Sequence, residues 1–118
     1  GKDDYLAIFK NETIVKSIKP DFNKIEKLEC RGVIISAAGD QVDFVSRFFA
    51  PQTGINEDPV TGSAHTLLTP YWAKILQRDT LTAYQCSKRG GELSCKLMPH
   101  RVEIGGKSKL YLKGTILL

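Results

Sequence analysis

The fold is decided by one stretch of the sequence, Gly54-Ile55-Asn56-Glu57-Asp58-Pro59-Val60-Thr61-Gly62-Ser63-Ala64-His65. It is a polar, turn-rich segment that leads directly into the most strongly patterned helix of the chain. Pro59 biases Asp58 towards an extended backbone, and its fixed φ angle suits the first turn of a helix. We therefore predict a loop that ends at Asp58 and a central helix that runs from about Pro59 to Gln77.

The central helix is indicated by apolar residues at three- and four-residue spacing, which is typical of a helix buried on a broad face. These residues are Ala64, Leu67, Leu68, Tyr71, Trp72, Ile75 and Leu76. Because Pro70 lacks a backbone donor, we expect it to kink the helix or split it after Thr69. Since the helix is apolar around much of its circumference, we expect a strongly curved sheet to wrap around it.

The other segments predict strands and one short helix around this central helix. Strands are expected at residues 5–9, 13–16, 33–35, 42–49, 81–87, 92–97, 101–104 and 109–113, with a last strand that ends at Leu118. The short helix opens at Pro20-Asp21-Phe22. This order contains no repeat and no linker, so we predict a single α+β domain over residues 1–118.

Composition and charge argue against several classes of function. The chain has 118 residues and a formal net charge of +4, and its lysines are scattered rather than clustered, which argues against nucleic-acid binding. It has no apolar run long enough to span a bilayer and no secretory signal, so we expect a cytoplasmic protein with no membrane partner. Three irregularly spaced cysteines, Cys30, Cys86 and Cys95, are too few for a disulfide scaffold or a zinc site.

The predicted helix start has the features of an anion-binding site. Small residues at Gly62, Ser63 and Ala64 leave the amides of the first turn open, and a helix N-terminus favours a carboxylate or a phosphate. Asp58 then has two alternative roles, as an N-cap that accepts an amide hydrogen bond near Val60 or Thr61, or as an acid/base. Either Thr61 or Ser63 could instead cap a helix that starts later, and Gly62 could serve only close packing.

Three motifs resemble the PhzF-like family of phenazine-biosynthesis proteins. They are Ser46-Arg47-Phe48-Phe49-Ala50-Pro51, the string Glu57-Asp58-Pro59-Val60-Thr61-Gly62-Ser63-Ala64, and Gln85 with Arg89-Gly90-Gly91. The resemblance implies the diaminopimelate-epimerase fold, in which two similar lobes each curl a mixed sheet around a central helix. The active site of such proteins lies between the lobes. This chain resembles the second, C-terminal lobe alone, with the first lobe absent.

The resemblance also implies a chemistry: a cofactor-independent isomerase or epimerase that moves a proton on a small carboxylate substrate, with no metal. In the family the main acid/base, a glutamate, and a Gly-His pair belong to the first lobe and have no counterpart here. Asp58 carries over as the acidic residue of this lobe, and Thr61, Gly62 and Ser63 carry over as donors to the substrate carboxylate. We expect the isolated chain to be inactive and the complete protein to form a homodimer. The alternative is a non-catalytic domain that binds a small anion or packs against a partner.

The remaining candidates have simpler interpretations. His65 is interpreted as a packed or solvated side chain, with donation to a ligand as the alternative. His100 is interpreted as a loop residue. Arg89 is interpreted as part of a turn, with contact to an anionic substrate as the alternative. Diaminopimelate epimerases use cysteines as bases, but none of the three cysteines lies in the glycine-rich loop, so free structural thiols are the default. If the turn at Arg89-Gly90-Gly91 is symmetric, Cys86 faces Leu93 and Cys95 faces Tyr84, so the two thiols are not directly opposed.

Overall fold

The computed structural model describes residues 4–106 and the backbone of residues 114–117. Within these residues eight strands form one sheet: β1 (Tyr5–Ile8), β2 (Val33–Ala38), β3 (Phe44–Ala50), β4 (Ile55–Asp58), β5 (Thr80–Gln85), β6 (Gly91–Met98), β7 (Arg101–Gly106) and β8 (Gly114–Leu117). The α-helices described are α1 (Glu12–Ser17), α2 (Phe22–Glu26) and α3 (His65–Leu76), and a short 3₁₀ turn spans Pro51–Thr53. None of these helices is long and apolar enough to cross a membrane.

The sheet is mixed, as predicted, with the strand order β1-β2-β3-β5-β6-β7-β8. Two of its pairs, β1 with β2 and β3 with β5, are parallel, and the other pairs are antiparallel. Both β4 and β5 pair with β3: β4 takes Phe48 to Ala50 and β5 takes Phe44 to Ser46. Because the two strands bond to different stretches of β3, the end of β4 lies close to the end of β5.

The two faces of the sheet bury two different cores, as the two-residue period of strands requires. On one face Phe44 and Phe48 pack with α3, and the ring of Phe44 stacks on Trp72 with centroids 5.9 Å apart. The indole of Trp72 also donates to the Ser36 hydroxyl at 3.0 Å. On the other face Phe49, with its neighbours in β2 and β3, packs against residues of α1 and α2.

The central helix is shorter than the sequence pattern predicted. It begins at His65 rather than at Pro59, and part of the predicted loop before it is β4, so the prediction was wrong at this end. The reason is that Asp58 pairs with Phe48 of β3, and the Thr61 amide donates to a side chain instead of joining a helix. The helix does end next to Gln77, as predicted, and Pro70 does not split it.

The predicted strand at residues 13–16 is instead helix α1. The Asn11 carboxamide caps it by accepting from the Ile14 amide at 2.9 Å, and Glu12 pairs with Lys16 one turn later. Such local contacts outweigh the β propensity of the short apolar run. The described residues therefore contain three α-helices instead of the predicted two: the short helix opened by Asp21 is confirmed as α2, α1 was not predicted, and the one long central helix is replaced by the 12-residue α3. Strong curvature of the sheet stays a prediction.

The β5–β6 hairpin has a different register from the one predicted. Leu81 faces Cys95 and Gln85 faces Gly91, so the predicted pairings of Cys86 with Leu93 and of Cys95 with Tyr84 were wrong. The connection is longer than a symmetric turn at residues 89–91, because the Ser87 hydroxyl closes a five-residue loop by accepting from the Gly90 amide. The thiols are still not opposed. The predicted strand at residues 109–113 lies outside the described residues.

Candidate functional site

The candidate site lies where β4 ends, beside the end of β5 and the start of α3. Asp58 is the last residue of β4, and Gln85 is the last residue of β5. Residues 59–64 form the turn that joins β4 to α3. The paired positions of β4 and β5 along β3 therefore bring the acidic residue, the turn and the helix start together.

Gln85 fixes the shape of this turn. Its side chain is fully buried, and its carbonyl oxygen accepts from the Thr61 amide at 2.8 Å. Its nitrogen donates to the backbone carbonyl of Asp58 at 2.8 Å and to the Thr61 hydroxyl at 3.0 Å. Because all three bonds go to Asp58 and Thr61, Gln85 fixes the position of the turn that carries the candidate site. The sequence pointed to Gln85 only through the family motif, because nothing in a lone glutamine of a strand indicates such a role.

The carboxylate of Asp58 is held by the hydroxyl of Thr61, at 2.7 Å from Oδ2 to Oγ1. Because that hydroxyl already accepts from Gln85, its hydrogen is directed to Asp58. The N-cap alternative for Asp58 was wrong, since the Thr61 amide donates to Gln85 and the N-cap position of α3 is Ala64. The same geometry removes the capping alternatives for Thr61 and Ser63, because α3 has no side-chain cap.

The amides of Gly62, Ser63 and Ala64 are unused hydrogen-bond donors at the start of α3. None of the three donates a hydrogen bond to another group within residues 4–106, whereas the carbonyls of these residues accept from amides of the first helical turn. A Cβ added to Gly62 would meet no atom within 4 Å, so the close-packing alternative for this glycine was wrong. Three unused donors at the positive end of a helix can bind a carboxylate.

A positive charge that the sequence analysis missed stands beside these amides. Arg31 donates through Nη2 to the Ser63 hydroxyl at 2.9 Å and forms a two-bond ion pair with Asp4, at 3.0 and 2.6 Å. Its guanidinium lies over the ring of Phe48, 5.4 Å from the centroid. The hydrogen bond to Asp4, and then the charges of Asp4 and Asp58, raise the pKa of Arg31 against the opposing effect of burial. No sequence signal marks Arg31, which precedes a strand in an ordinary loop.

His65 lies behind the site rather than in it. Its side chain is fully buried, its ring packs against Phe44, and Nδ1 lies 2.7 Å from the Thr61 carbonyl. Burial lowers the pKa of His65 to about 4, partly offset by this hydrogen bond. The imidazole is therefore neutral near pH 7, and Nδ1–H donates to Thr61. This agrees with the interpretation of His65 as a packed side chain.

The other candidate residues lie elsewhere. Arg89 is exposed in the β5–β6 loop, and His100 is exposed in the turn between β6 and β7. Burial raises the pKa of the Cys95 thiol to about 11, and burial, with help from Glu12, also raises the pKa of Cys86. Cys30 is buried beside Gln52. In the range 4–106 no group of three or more histidine, cysteine, aspartate or glutamate side chains could hold a metal ion.

Comparison with known proteins adds to this geometry. The family model described as phenazine biosynthesis-like protein matches residues 1–115. A protein of Pseudomonas aeruginosa named as an uncharacterized isomerase is 53% identical over 116 residues, which are 98% of this chain and 44% of that protein. The human phenazine biosynthesis-like domain-containing protein is 38% identical over 122 residues, covering 94% of this chain and 42% of that protein.

A solved structure is also similar. The crystal structure of a PhzF-family phenazine biosynthesis protein from Enterococcus faecalis superposes with a TM-score of 0.84 at 50% sequence identity. The match covers 96% of this chain and 44% of that one, so the chain spans less than half the length of these relatives. The family model, the sequence identities and the shared fold lead to one conclusion: the chain belongs to the phenazine biosynthesis-like PhzC-PhzF family.

Proposed function

We propose that this chain is the C-terminal lobe of a two-lobed isomerase or epimerase, which moves a proton on a small carboxylate-bearing molecule without a cofactor. The observation that carries the proposal is the position of Asp58 beside three unused amides at the start of α3. The isomerase names of relatives from Pseudomonas aeruginosa and Halalkalibacterium halodurans support it. That the chain spans about 44% of those proteins supports a missing lobe.

In this proposal the amides of Gly62, Ser63 and Ala64 bind the substrate carboxylate. Fixed donors of this kind also stabilise negative charge that develops when a proton leaves the neighbouring carbon. The Ser63 hydroxyl adds a further donor. The donors of Thr61 are directed to Gln85 and Asp58, so we assign to Thr61 the task of holding the acidic residue next to the bound molecule.

Asp58 acts as one of two proton carriers. The Thr61 hydroxyl holds Oδ2, and no group within residues 4–106 donates to Oδ1, so this oxygen can take a proton from, or return one to, the substrate. The second carrier belongs to the other lobe. Closure of the two lobes would exclude water from the cleft, which strengthens the electrostatic interactions inside it.

Solvent deuterium exchange tests this proposal. The two-lobed protein is incubated in D₂O with a panel of small carbon acids that carry a carboxylate, and deuterium is measured at the carbon next to that group. We expect incorporation with the two-lobed protein and none with the 118-residue chain alone. If the two-lobed protein binds members of the panel without exchanging any carbon-bound hydrogen, the alternative of a non-catalytic anion-binding domain is correct.

We also propose that the complete protein is a cytoplasmic homodimer. Apolar side chains exposed on this chain support an interface: Leu67 and Ile75 on α3, and Tyr5 and Ile8 on the edge strand β1. An exposed apolar patch and an unpaired strand edge both favour association. Sedimentation of the chain should therefore show self-association as its concentration rises, whereas a strict monomer at high concentration would contradict this expectation.

A further inference from the structure

Three segments that are distant in sequence meet at the edge of the proposed anion site. Asp4 precedes β1, Arg31 precedes β2, and Ser63 precedes α3. The Asp4 side chain is only 4% exposed, whereas that of Arg31 is 42% exposed and reaches from Asp4 to Ser63. The planar guanidinium makes these contacts together while its face rests on Phe48. A lysine ammonium could not make this set of contacts, because it lacks a rigid fork.

The direction of the hydrogen bond between Arg31 and Ser63 matters for the site. A guanidinium only donates, so the Ser63 oxygen is the acceptor. The single hydrogen of that hydroxyl therefore remains free for another acceptor. A hydroxyl that accepts from a cation is polarised and becomes a stronger donor. Arg31 thus prepares Ser63 to donate to an anion in front of the neighbouring amides.

The charge of Arg31 matters as well. A carboxylate bound at residues 62–64 would lie near Asp58, and two like charges in one site repel each other. Asp4 and Asp58 together carry two negative charges, and Arg31 is the cation that interacts with both of them. Without Arg31 the charges of Asp4 and Asp58 would lose this cation, and an incoming carboxylate would meet a stronger repulsion.

We propose that Arg31 is a positioning residue of the anion site, which orients and polarises the Ser63 hydroxyl and offsets the negative charge of Asp58. This inference rests on the proposed function, because it assigns a role towards the carboxylate that the function requires. It extends the site beyond the 57–64 motif to a loop that the motif does not include.

The test measures binding of acetate, a simple monocarboxylate, to the ¹⁵N-labelled chain by the shifts of the Gly62, Ser63 and Ala64 amides. The main variant is Asp4→Asn with Arg31→Gln, which removes the guanidinium together with the buried carboxylate that pairs with it, so the net charge is unchanged and no carboxylate is left unpaired. The matched control is Asp43→Asn with Arg78→Gln, which removes another Arg–Asp ion pair far from these amides. The dispersion of the amide resonances shows that each variant is folded.

We expect the main variant to raise the Kd for acetate about tenfold, the effect of losing one charge-assisted hydrogen bond, and the control to leave it unchanged. Raising the salt from about 20 to about 200 mM should weaken binding to the wild-type chain more than to the main variant. A loss of shape alone would not change this salt dependence. Arg31→Lys keeps the charge, so it should recover part of the affinity at low salt.

The outcomes separate the two proposals. If the wild-type amides show no saturable shift with acetate, the anion site of the proposed function is absent. If the wild-type chain binds acetate and the main variant binds it equally well, the role of Arg31 is wrong while the site stands. Should the main variant not fold, Ser63→Ala decides: Arg31→Lys must cost less affinity in that background than in the wild type, and an equal cost overturns the inference.

Discussion

Glu57 and Asp58 are adjacent acidic residues of β4, and the structure gives them opposite surroundings. Glu57 accepts two hydrogen bonds from Arg47, at 2.9 and 2.8 Å. Asp58 accepts one from the Thr61 hydroxyl and keeps its other carboxylate oxygen without a donor in the described range 4–106. Because successive residues of a strand point to opposite faces of the sheet, one carboxylate faces the small helices and the other faces the start of α3.

The difference shows how two adjacent residues of one strand can have a fully paired and a partly paired carboxylate. Arg47 is itself buried, lies over the ring of Phe49, and donates to the carbonyls of Val15 and Ile18 at the end of α1. Glu57 therefore completes a closed network that attaches α1 to the sheet. Asp58 keeps one carboxylate oxygen without a donor in the described residues, as the proposed role of proton carrier requires.

The largest effect, on turnover, is expected when the carboxylate of Asp58 is removed. Asp58→Asn should lower turnover of the two-lobed protein by about 10³-fold, within the range for loss of a general acid or base, because an amide cannot carry the proton. Thermal unfolding should change little, since Asn can still accept from Thr61. The matched variant Glu57→Gln should keep most of the turnover. Near-normal turnover of Asp58→Asn would mean that Asp58, like Glu57, does not carry the proton.

A large effect on stability is expected for Glu57, whose carboxylate lies on the sheet face that packs against α1 and α2. Glu57→Ala leaves the Arg47 guanidinium largely buried without its partner, and removal of one member of a buried ion pair costs about 3 kcal/mol. Urea unfolding of the 118-residue chain measures this cost. The corresponding change at the open carboxylate, Asp58→Ala, should cost clearly less. Equal losses for the two variants would mean that both acids are structural.

The sequence predicted much of this arrangement, and the family motif singled out Asp58 as the candidate acid/base, but it did not predict the partners of the two acids. The alternating apolar residues of β3, the apolar run of β2 and the apolar pattern of α3 were sufficient for the α+β class, whereas the predicted helix start at Pro59 was six residues too early. Partners from distant segments could not be predicted, because a sequence pattern shows which face a residue takes and not what it meets there. Arg47 for Glu57, Arg31 for Ser63 and Gln85 for Thr61 are all of this kind.

The missed boundaries have a similar cause. Pro59 suits a first helical turn, yet the helix begins at His65 because β3 pairs with residues 55–58 and Gln85 takes the Thr61 amide. Residues 13–16 look like a strand, yet Asn11 caps them as a helix. In both places a long-range or capping hydrogen bond overrides a local preference.

His65, which packs behind the turn that holds Asp58, is expected to have a smaller, pH-dependent effect on the free energy of unfolding. Its pKa is lowered from 6.5 to about 4 in the folded chain, so the unfolded chain binds the proton more tightly. The stability that neutral His65 provides is complete above pH 6.5 and is lost as the pH falls towards 4. Between about pH 7 and pH 5 the wild type should lose about 2 kcal/mol more than His65→Gln does.

Urea unfolding at the two pH values measures this difference. Other acidic groups titrate in both proteins, so only the difference between the wild type and the variant is interpreted. His100→Gln, a change in an exposed turn, should show the pH dependence of the wild type. If His65→Gln loses as much stability as the wild type on acidification, His65 is not buried as a neutral base behind Thr61.

The smallest effect on stability is expected for a substitution at Gly62. Comparison with Gly91 distinguishes a glycine beside empty space from a glycine that is packed against a side chain. A Cβ at Gly62 meets nothing within 4 Å, so Gly62→Ala should change the free energy of unfolding by less than about 0.5 kcal/mol. Gly91, by contrast, lies against the Val60 side chain of the same turn, so Gly91→Ala should cost about 1–3 kcal/mol by overpacking. The added methyl at Gly62 should instead weaken acetate binding at the neighbouring amides, because it occupies the space in front of them. If Gly62→Ala left both stability and acetate affinity unchanged, the open space beside Asp58 would have no ligand-binding role.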